Sequence, residues 1–239
     1  MLNKKIVGGF FAFSVLVSGL VHAGTTTITT KYEQSFKENK DHRVKLRVGH
    51  AFDNNTSVYF EQTRRWLDEM NGSPDIFENL LGLGYTHTLD GKNRWSIRPV
   101  MEYRYTPTAE FARPSLRLNY RVNDDWLIGA RYRYEYQTYS EDGRTRSRVN
   151  RFDGYLNYSL TDQVSLGWNP NYAYHLGSGG SMYTGTSDRW ENHFIADYRI
   201  NRAQSLRLKY KRKDETRDSA IYNAGERNDV IELNYSYRF

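Results

Sequence analysis

The stretch WLIGARYRYEYQ, Trp126–Gln137, decides how the chain is read. Trp126, Ile128, Ala130, Tyr132, Tyr134 and Tyr136 share one phase of a two-residue period, and Gly129, Arg131, Arg133, Glu135 and Gln137 share the other. Successive side chains on a strand point to opposite faces, so this is a strand with one apolar, aromatic face and one charged face. The alternation recurs. Pro114, Leu116, Leu118 and Tyr120 oppose Arg113, Arg117 and Arg121; Leu206, Leu208 and Tyr210 oppose Arg207, Lys209 and Lys211. Near the end of the chain, Ile231, Leu233, Tyr235, Tyr237 and Phe239 oppose Glu232, Asn234, Ser236 and Arg238.

A soluble sheet built this way needs a second layer over its apolar face, and no amphipathic helix is available to supply one. A sandwich could cover itself, but its outer faces would have no reason to carry so one-sided a charge. A transmembrane barrel satisfies both faces together, with apolar side chains toward lipid and polar ones toward the lumen. Composition agrees. A hydrophobic content of 38% and a mean hydropathy of −0.81 are low for a soluble domain, while 20 tyrosines and 15% aromatic residues are too many for a disordered chain. Past residue 23, no apolar stretch approaches the length of a membrane helix.

The connections alternate in length. Short turns are expected at Asp53–Thr56, Asp90–Asn93, Asn123–Asp125, Thr161–Gln163 and Asn201–Gln204. Longer polar loops are expected at Ser35–Asp41, Leu67–Pro74, Thr106–Glu110, Thr138–Ser147, Gly177–Asp188 and Asp214–Arg227. Together they separate about twelve strands, with the short turns on the periplasmic side. Phe52, Tyr85, Trp95, Tyr120, Trp126, Tyr158, Tyr198 and Phe239 fall on the outward phase beside the short turns, and Tyr32, Trp66, Tyr105, Tyr136, Tyr174 and Trp190 lie near the loops. These form two aromatic girdles at the two membrane interfaces. A strand ending in an aromatic residue such as Phe239 is common in outer-membrane barrels.

The first residues follow a different logic. Lys4 and Lys5 precede a mostly apolar run, Ile6 to Val21, and Val21-His22-Ala23 suits a signal peptidase. The alternative, a membrane anchor, needs a longer apolar run. The expectation is a signal peptide over residues 1–23, cleaved after Ala23, and a barrel over 24–239. Removal of Lys4 and Lys5 leaves 32 of the 34 lysines and arginines against 28 acids, a net charge of +4. That is too mild to argue for nucleic acid. The absence of cysteine excludes disulfides and thiolate metal sites.

Charge concentrates on the inward phase. It carries Lys31, Arg43, Lys45, Arg47, Arg65, Arg98, Arg104, Arg113, Arg117, Arg121, Arg131, Arg133, Arg151, Arg199, Arg207, Lys209, Lys211, Lys213 and Arg238. The inward acids are Glu33, Glu61, Glu78, Glu102, Glu135, Asp153, Glu191, Asp197 and Glu232. Bases thus outnumber acids roughly two to one if the alternation holds throughout. A closed barrel plugged by paired charges is the bland alternative, but a dry interior with unpaired charge is costly. A narrow water-filled channel is cheaper, and basic rings make it anion-selective. Guanidinium forks match carboxylates, so an acidic sugar could pass from fork to fork. No G-x-x-x-x-G-K-[ST] loop is present, so transport would be passive, without a cofactor or metal. An outer-membrane hydrolase would need a nucleophile beside one of His42, His50, His87, His175 or His193, and none is placed there by sequence. A closed structural or adhesive barrel is the other rival; it would not conduct.

Trp95-Ser-Ile-Arg98-Pro99, Glu102-Tyr103-Arg104-Tyr105 and Gly129-Ala-Arg131-Tyr132-Arg133-Tyr134-Glu135 resemble the KdgM-type oligogalacturonate-specific porins, a family that includes the sialic-acid channel NanC. The resemblance extends over the whole chain past residue 23 in length, strand count and arginine alternation. It implies a monomeric twelve-stranded outer-membrane barrel with arginine tracks that carries acidic oligosaccharides, oligogalacturonates first and sialic acid or another acidic sugar as the alternative. The motifs carry that role most directly to Arg98, Arg104, Arg131 and Arg133. By register, the pore-lining set extends to Arg43, Lys45, Arg47, Arg113, Arg117, Arg121, Arg151, Arg199, Arg207, Lys209, Lys211 and Arg238.

Overall fold

The computed structural model describes residues 24–36, 41–67, 75–140, 147–176, 188–215 and 227–239. The signal peptide and its cleavage after Ala23, most of the longer loops, and the side chains of Trp66 and Lys213 lie outside the described residues.

The described chain is all β. In order the strands are β1 (Gly24–Ser35), β2 (Asp41–Phe52), β3 (Thr56–Leu67), β4 (Asp75–Tyr85), β5 (His87–Thr88), β6 (Trp95–Tyr105), β7 (Ala109–Arg121), β8 (Trp126–Ser140), β9 (Arg148–Ser159), β10 (Val164–His175), β11 (Asp188–Arg199), β12 (Gln204–Glu215) and β13 (Arg227–Arg238). Consecutive strands pair antiparallel except β4 with β5, and β1 pairs with β13 to close the barrel. At the seam, Thr26 and Phe239 exchange both backbone hydrogen bonds at 3.0 Å. β4 and β5 both pair with β6 and form one interrupted span, so the barrel has twelve strands.

Prolines explain the gaps in the ladder. Continuing the register places Tyr85 opposite Pro99, where the β4–β5 span breaks. Proline has no N–H to donate. Pro114 likewise falls where pairing of β7 with β8 lapses between Ala112 and Ser115. Pro170 falls where β10 loses its pairing with β9. There the side-chain amide of Asn169 donates to the Gly154 carbonyl, replacing the bond that proline cannot make.

The short turns are held by their own side chains. Asn55 and Asn93 adopt positive φ, 65° and 55°, which asparagine tolerates better than most residues. Asn123 Oδ1 accepts from the N–H of Asp125 and Trp126, and Asn201 Oδ1 does the same for Ala203 and Gln204. At the opposite end, the expected loop at Thr106–Glu110 is instead a three-residue turn between Tyr105 and Ala109. Thr106 closes it, accepting from and donating to Ala109. Thr138–Ser140, also expected in a loop, continue β8.

The outward phase reads as the alternation predicts. Tyr85, Trp95, Trp126 and Tyr198 at the turn end and Tyr32, Tyr105 and Trp190 at the loop end are exposed. Cross-strand rings pair along the girdles: Trp95 with Tyr120 at 4.4 Å between centroids, Trp126 with Tyr158 at 4.6 Å and Tyr172 with Trp190 at 4.9 Å. Between the girdles the same phase presents Leu81, Leu83, Leu116, Phe152, Leu208 and Leu233.

Candidate functional site

The opposite phase is charged, and its side chains reach one another over intervening strands. Lys211 on β12 meets Glu33 on β1 at 2.9 Å across β13. Lys31 on β1 meets Glu61 on β3 at 2.6 Å across β2. Arg151 on β9 meets Glu191 on β11 at 3.5 Å across β10. Such contacts require a concave face, so this phase is the inside of the barrel.

Among the described residues, ion pairs gather in two regions of that face. On β1, β2, β3, β12 and β13, Glu33 takes Arg43 (3.9 Å), Lys45 (3.1 Å) and Lys211. Glu61 takes Lys31 and Arg47 (2.7 Å), and Glu232 takes Lys209 (3.0 Å) and Lys211 (2.5 Å). On β6 to β11, Glu135 lies 2.6 Å from Arg133 and 3.6 Å from Arg113, which is also 3.6 Å from Glu102. Asp153 takes Arg131 and Arg151, both at 2.9 Å, and Glu191 takes Arg151, Arg189 (2.8 Å) and His193 (3.1 Å). Glu78 pairs with Arg104 at 3.0 Å.

The depth of the partners differs. The side chains of Glu135 and Asp153 are fully buried, at 0% exposure, whereas those of Arg131 and Arg47 keep 25% and 33%. Carboxylates are short and sit against the wall, and most of the longer bases paired with them stay more exposed, although Arg133 keeps only 8%. Aromatic rings support several of these bases. The Arg117 guanidinium lies 3.8 Å from the Tyr155 centroid, Arg47 lies 4.4 Å from Tyr59, and Arg104 lies 4.8 Å from Phe111. Tyr59 crosses β4 to donate its hydroxyl to Glu102. Gly82 permits that crossing: a Cβ there would stand 2.1 Å from the Tyr59 ring.

The sequence-predicted residues therefore divide into two groups. Arg43, Lys45, Arg47, Arg104, Arg113, Arg131, Arg133, Arg151, Arg207, Lys209 and Lys211 each have a carboxylate partner. Of the inward arginines on β7 and β8, Arg113, Arg131 and Arg133 are thus already held by carboxylates. Arg98, Arg117, Arg121, Arg199 and Arg238 have no carboxylate partner among the described residues. Arg98 donates to the Ser57 hydroxyl at 3.0 Å, and its Nε has no partner among the described residues. Arg117 donates to Asn119 at 2.6 Å. Arg98, Arg117 and Arg131 stand directly opposite one another on β6, β7 and β8, an arrangement that repels unless anions or water screen it.

Tyr59, Tyr155 and Arg189 belong to this face and were not singled out from sequence. Their parity with Glu61, Asp153 and Glu191 is the signal that finds them. Phe77 has no such signal. It is the extra residue of a bulge between β3 and β4, and the guanidiniums of Arg43 and Arg65 lie over its ring at 4.8 and 5.0 Å.

Comparison with known proteins bears on this site. The family model for oligogalacturonate-specific porin protein (KdgM) matches residues 17–219. The N-acetylneuraminic acid outer membrane channel protein NanC of Escherichia coli K12 is 23% identical over 248 residues, spanning 98% of this chain and 97% of that protein. Among solved structures, a NanC porin superposes with a TM-score of 0.72 at 18% identity, over 88% of this chain and 98% of its own. A KdgM porin in complex with disordered oligogalacturonate superposes with a TM-score of 0.63 at 16% identity, over 89% and 99%. At these identities the superpositions speak for the fold alone.

Proposed function

The chain belongs to the KdgM family of oligogalacturonate-specific porins, and from that premise we propose that it is a monomeric, anion-selective channel for passive diffusion of acidic oligosaccharides, oligogalacturonates first among them. It is an outer-membrane porin of the KdgM and NanC type, and the family is one of channels rather than hydrolases. We read residues 1–23 as its export signal.

The observation that carries the proposal is the layering of charge. The acids are hidden beneath the bases, so a solute inside the barrel would meet guanidinium and ammonium groups first. Weak, repeated cationic contacts favour entry and still permit exit. Acidic oligosaccharides suit this surface because planar guanidiniums hold carboxylates in a two-point geometry.

The second reading is a sialic-acid channel, favoured by the near-complete coverage of NanC. Single-channel recordings separate the two. Trigalacturonate should block the ionic current at roughly tenfold lower concentration than sialic acid, since several carboxylates engage together. The reverse order would favour the sialic-acid reading, and no block by either sugar would overturn both.

A further inference from the structure

At the turn end the barrel opens into a cavity of about 990 Å³. Its chemistry differs from the networks deeper inside. Arg199, Ser205 and Ser236 lie in register across β11, β12 and β13, and Arg238 faces Thr27 across the closing seam. All five line the cavity. Arg207, also in the lining, is already held by Asp197 through two bonds of 2.6 and 3.1 Å. Arg199 and Arg238 are exposed, and no described carboxylate pairs with either.

We propose that this mouth is a binding site for the terminal carboxylate and first ring of an acidic sugar, distinct from the ion-paired belt inside the barrel. The inference rests on the channel reading above and adds a place and an orientation to it. Deeper in the barrel, an entering carboxylate must compete with Glu33, Glu135 or Asp153 for bases they already hold. At the mouth it meets guanidiniums with open forks, beside serine and threonine hydroxyls that can both donate to and accept from sugar hydroxyls. The adjoining turns, on the β7–β10 side of the cavity, carry Asp124, Asp125 and Asp162. These repel a carboxylate and accept from hydroxyls, so the acidic end of the sugar turns toward β11–β13. The volume lies at the upper end of the usual range for ligand pockets and suits one or two sugar rings. With the short turns on the periplasmic side, this is the last site a sugar leaves on its way inward.

The test uses the full-length refolded channel in planar bilayers, inserted in one orientation. Trigalacturonate is added on the turn side or on the loop side of wild type and of the Arg199→Gln, Arg238→Gln double variant. Turn-side block should weaken about tenfold in the variant, the loss expected for one charge-assisted bond, and loop-side block should weaken much less. The double variant with lysine at both positions keeps charge but not the fork, and it should fall between the two. Equal weakening from both sides, or none, in a wild-type channel that is itself blocked by sugar would overturn the mouth site and leave the channel reading standing. A wild-type channel that no acidic sugar blocks would overturn the channel reading with it.

Discussion

Glu135→Ala should destabilise the barrel by about 3–5 kcal/mol, the usual loss when one member of a buried charge pair is removed. Glu135 is fully enclosed, and its carboxylate lies within 3.6 Å of both Arg113 on the neighbouring β7 and Arg133, two residues earlier on β8 itself. Its removal leaves both guanidiniums without this carboxylate, and Glu102, 3.6 Å from Arg113, is the remaining carboxylate paired with either among the described residues. Glu135→Gln keeps the shape and loses the charge, so it should fall between wild type and alanine. Urea unfolding in lipid vesicles measures the difference. A loss below about 1 kcal/mol, typical of a solvent-exposed pair, would mean that water screens these groups and that the carboxylate is not what holds the bases in place.

Arg98→Glu combined with Arg117→Glu should shift the anion-to-cation permeability ratio roughly tenfold toward cations. Neither arginine has a carboxylate partner among the described residues, so the change costs few existing contacts. The double variant alters four units of charge. At about 10 Å in water each unit is worth about 0.4 kcal/mol, and 0.1 M salt reduces that to roughly a third. Anions and cations respond in opposite senses, which doubles the effect on the ratio and gives the tenfold figure. Reversal potentials across a salt gradient read it directly. An unchanged ratio in a properly folded variant would place these two side chains away from the path of the ions. The same substitution at Arg131 and Arg133 is a poorer probe, because those bases are tied to Asp153 and Glu135 and their loss would disturb the wall itself.

Parity is the part of this molecule that the amino-acid order states openly. The alternation in Trp126–Gln137 assigns each side chain of β8 to a face, and the same rule puts Arg113, Arg207 and Glu232 on the charged face. It also covers Tyr59 and Tyr155, although an abundance of girdle tyrosines draws attention away from them. Partner choice is not legible in this way. Lys211 meets Glu33 only because β12, β13 and β1 settle into one particular stagger, and that stagger depends on closure of the whole ring. Phe77 enters the charged face through a bulge, where one extra residue overrides alternation. The short turn at Thr106 escaped notice because Thr-Pro-Thr looks like loop sequence, whereas the Thr106 hydroxyl closes the hairpin. The break between β4 and β5 follows from Pro99, which lies on a different strand from the gap it causes.

The most direct test of the central claim, that cationic groups cover the acids on the inner face of an open barrel, is the reversal potential of the wild-type protein in a planar bilayer under a potassium chloride gradient. A measurable conductance with the sign of an anion-selective pore is the expected result. A cation-selective potential would mean that the carboxylates, and not the bases above them, set the field inside, and a silent membrane would mean that the ion pairs close the barrel.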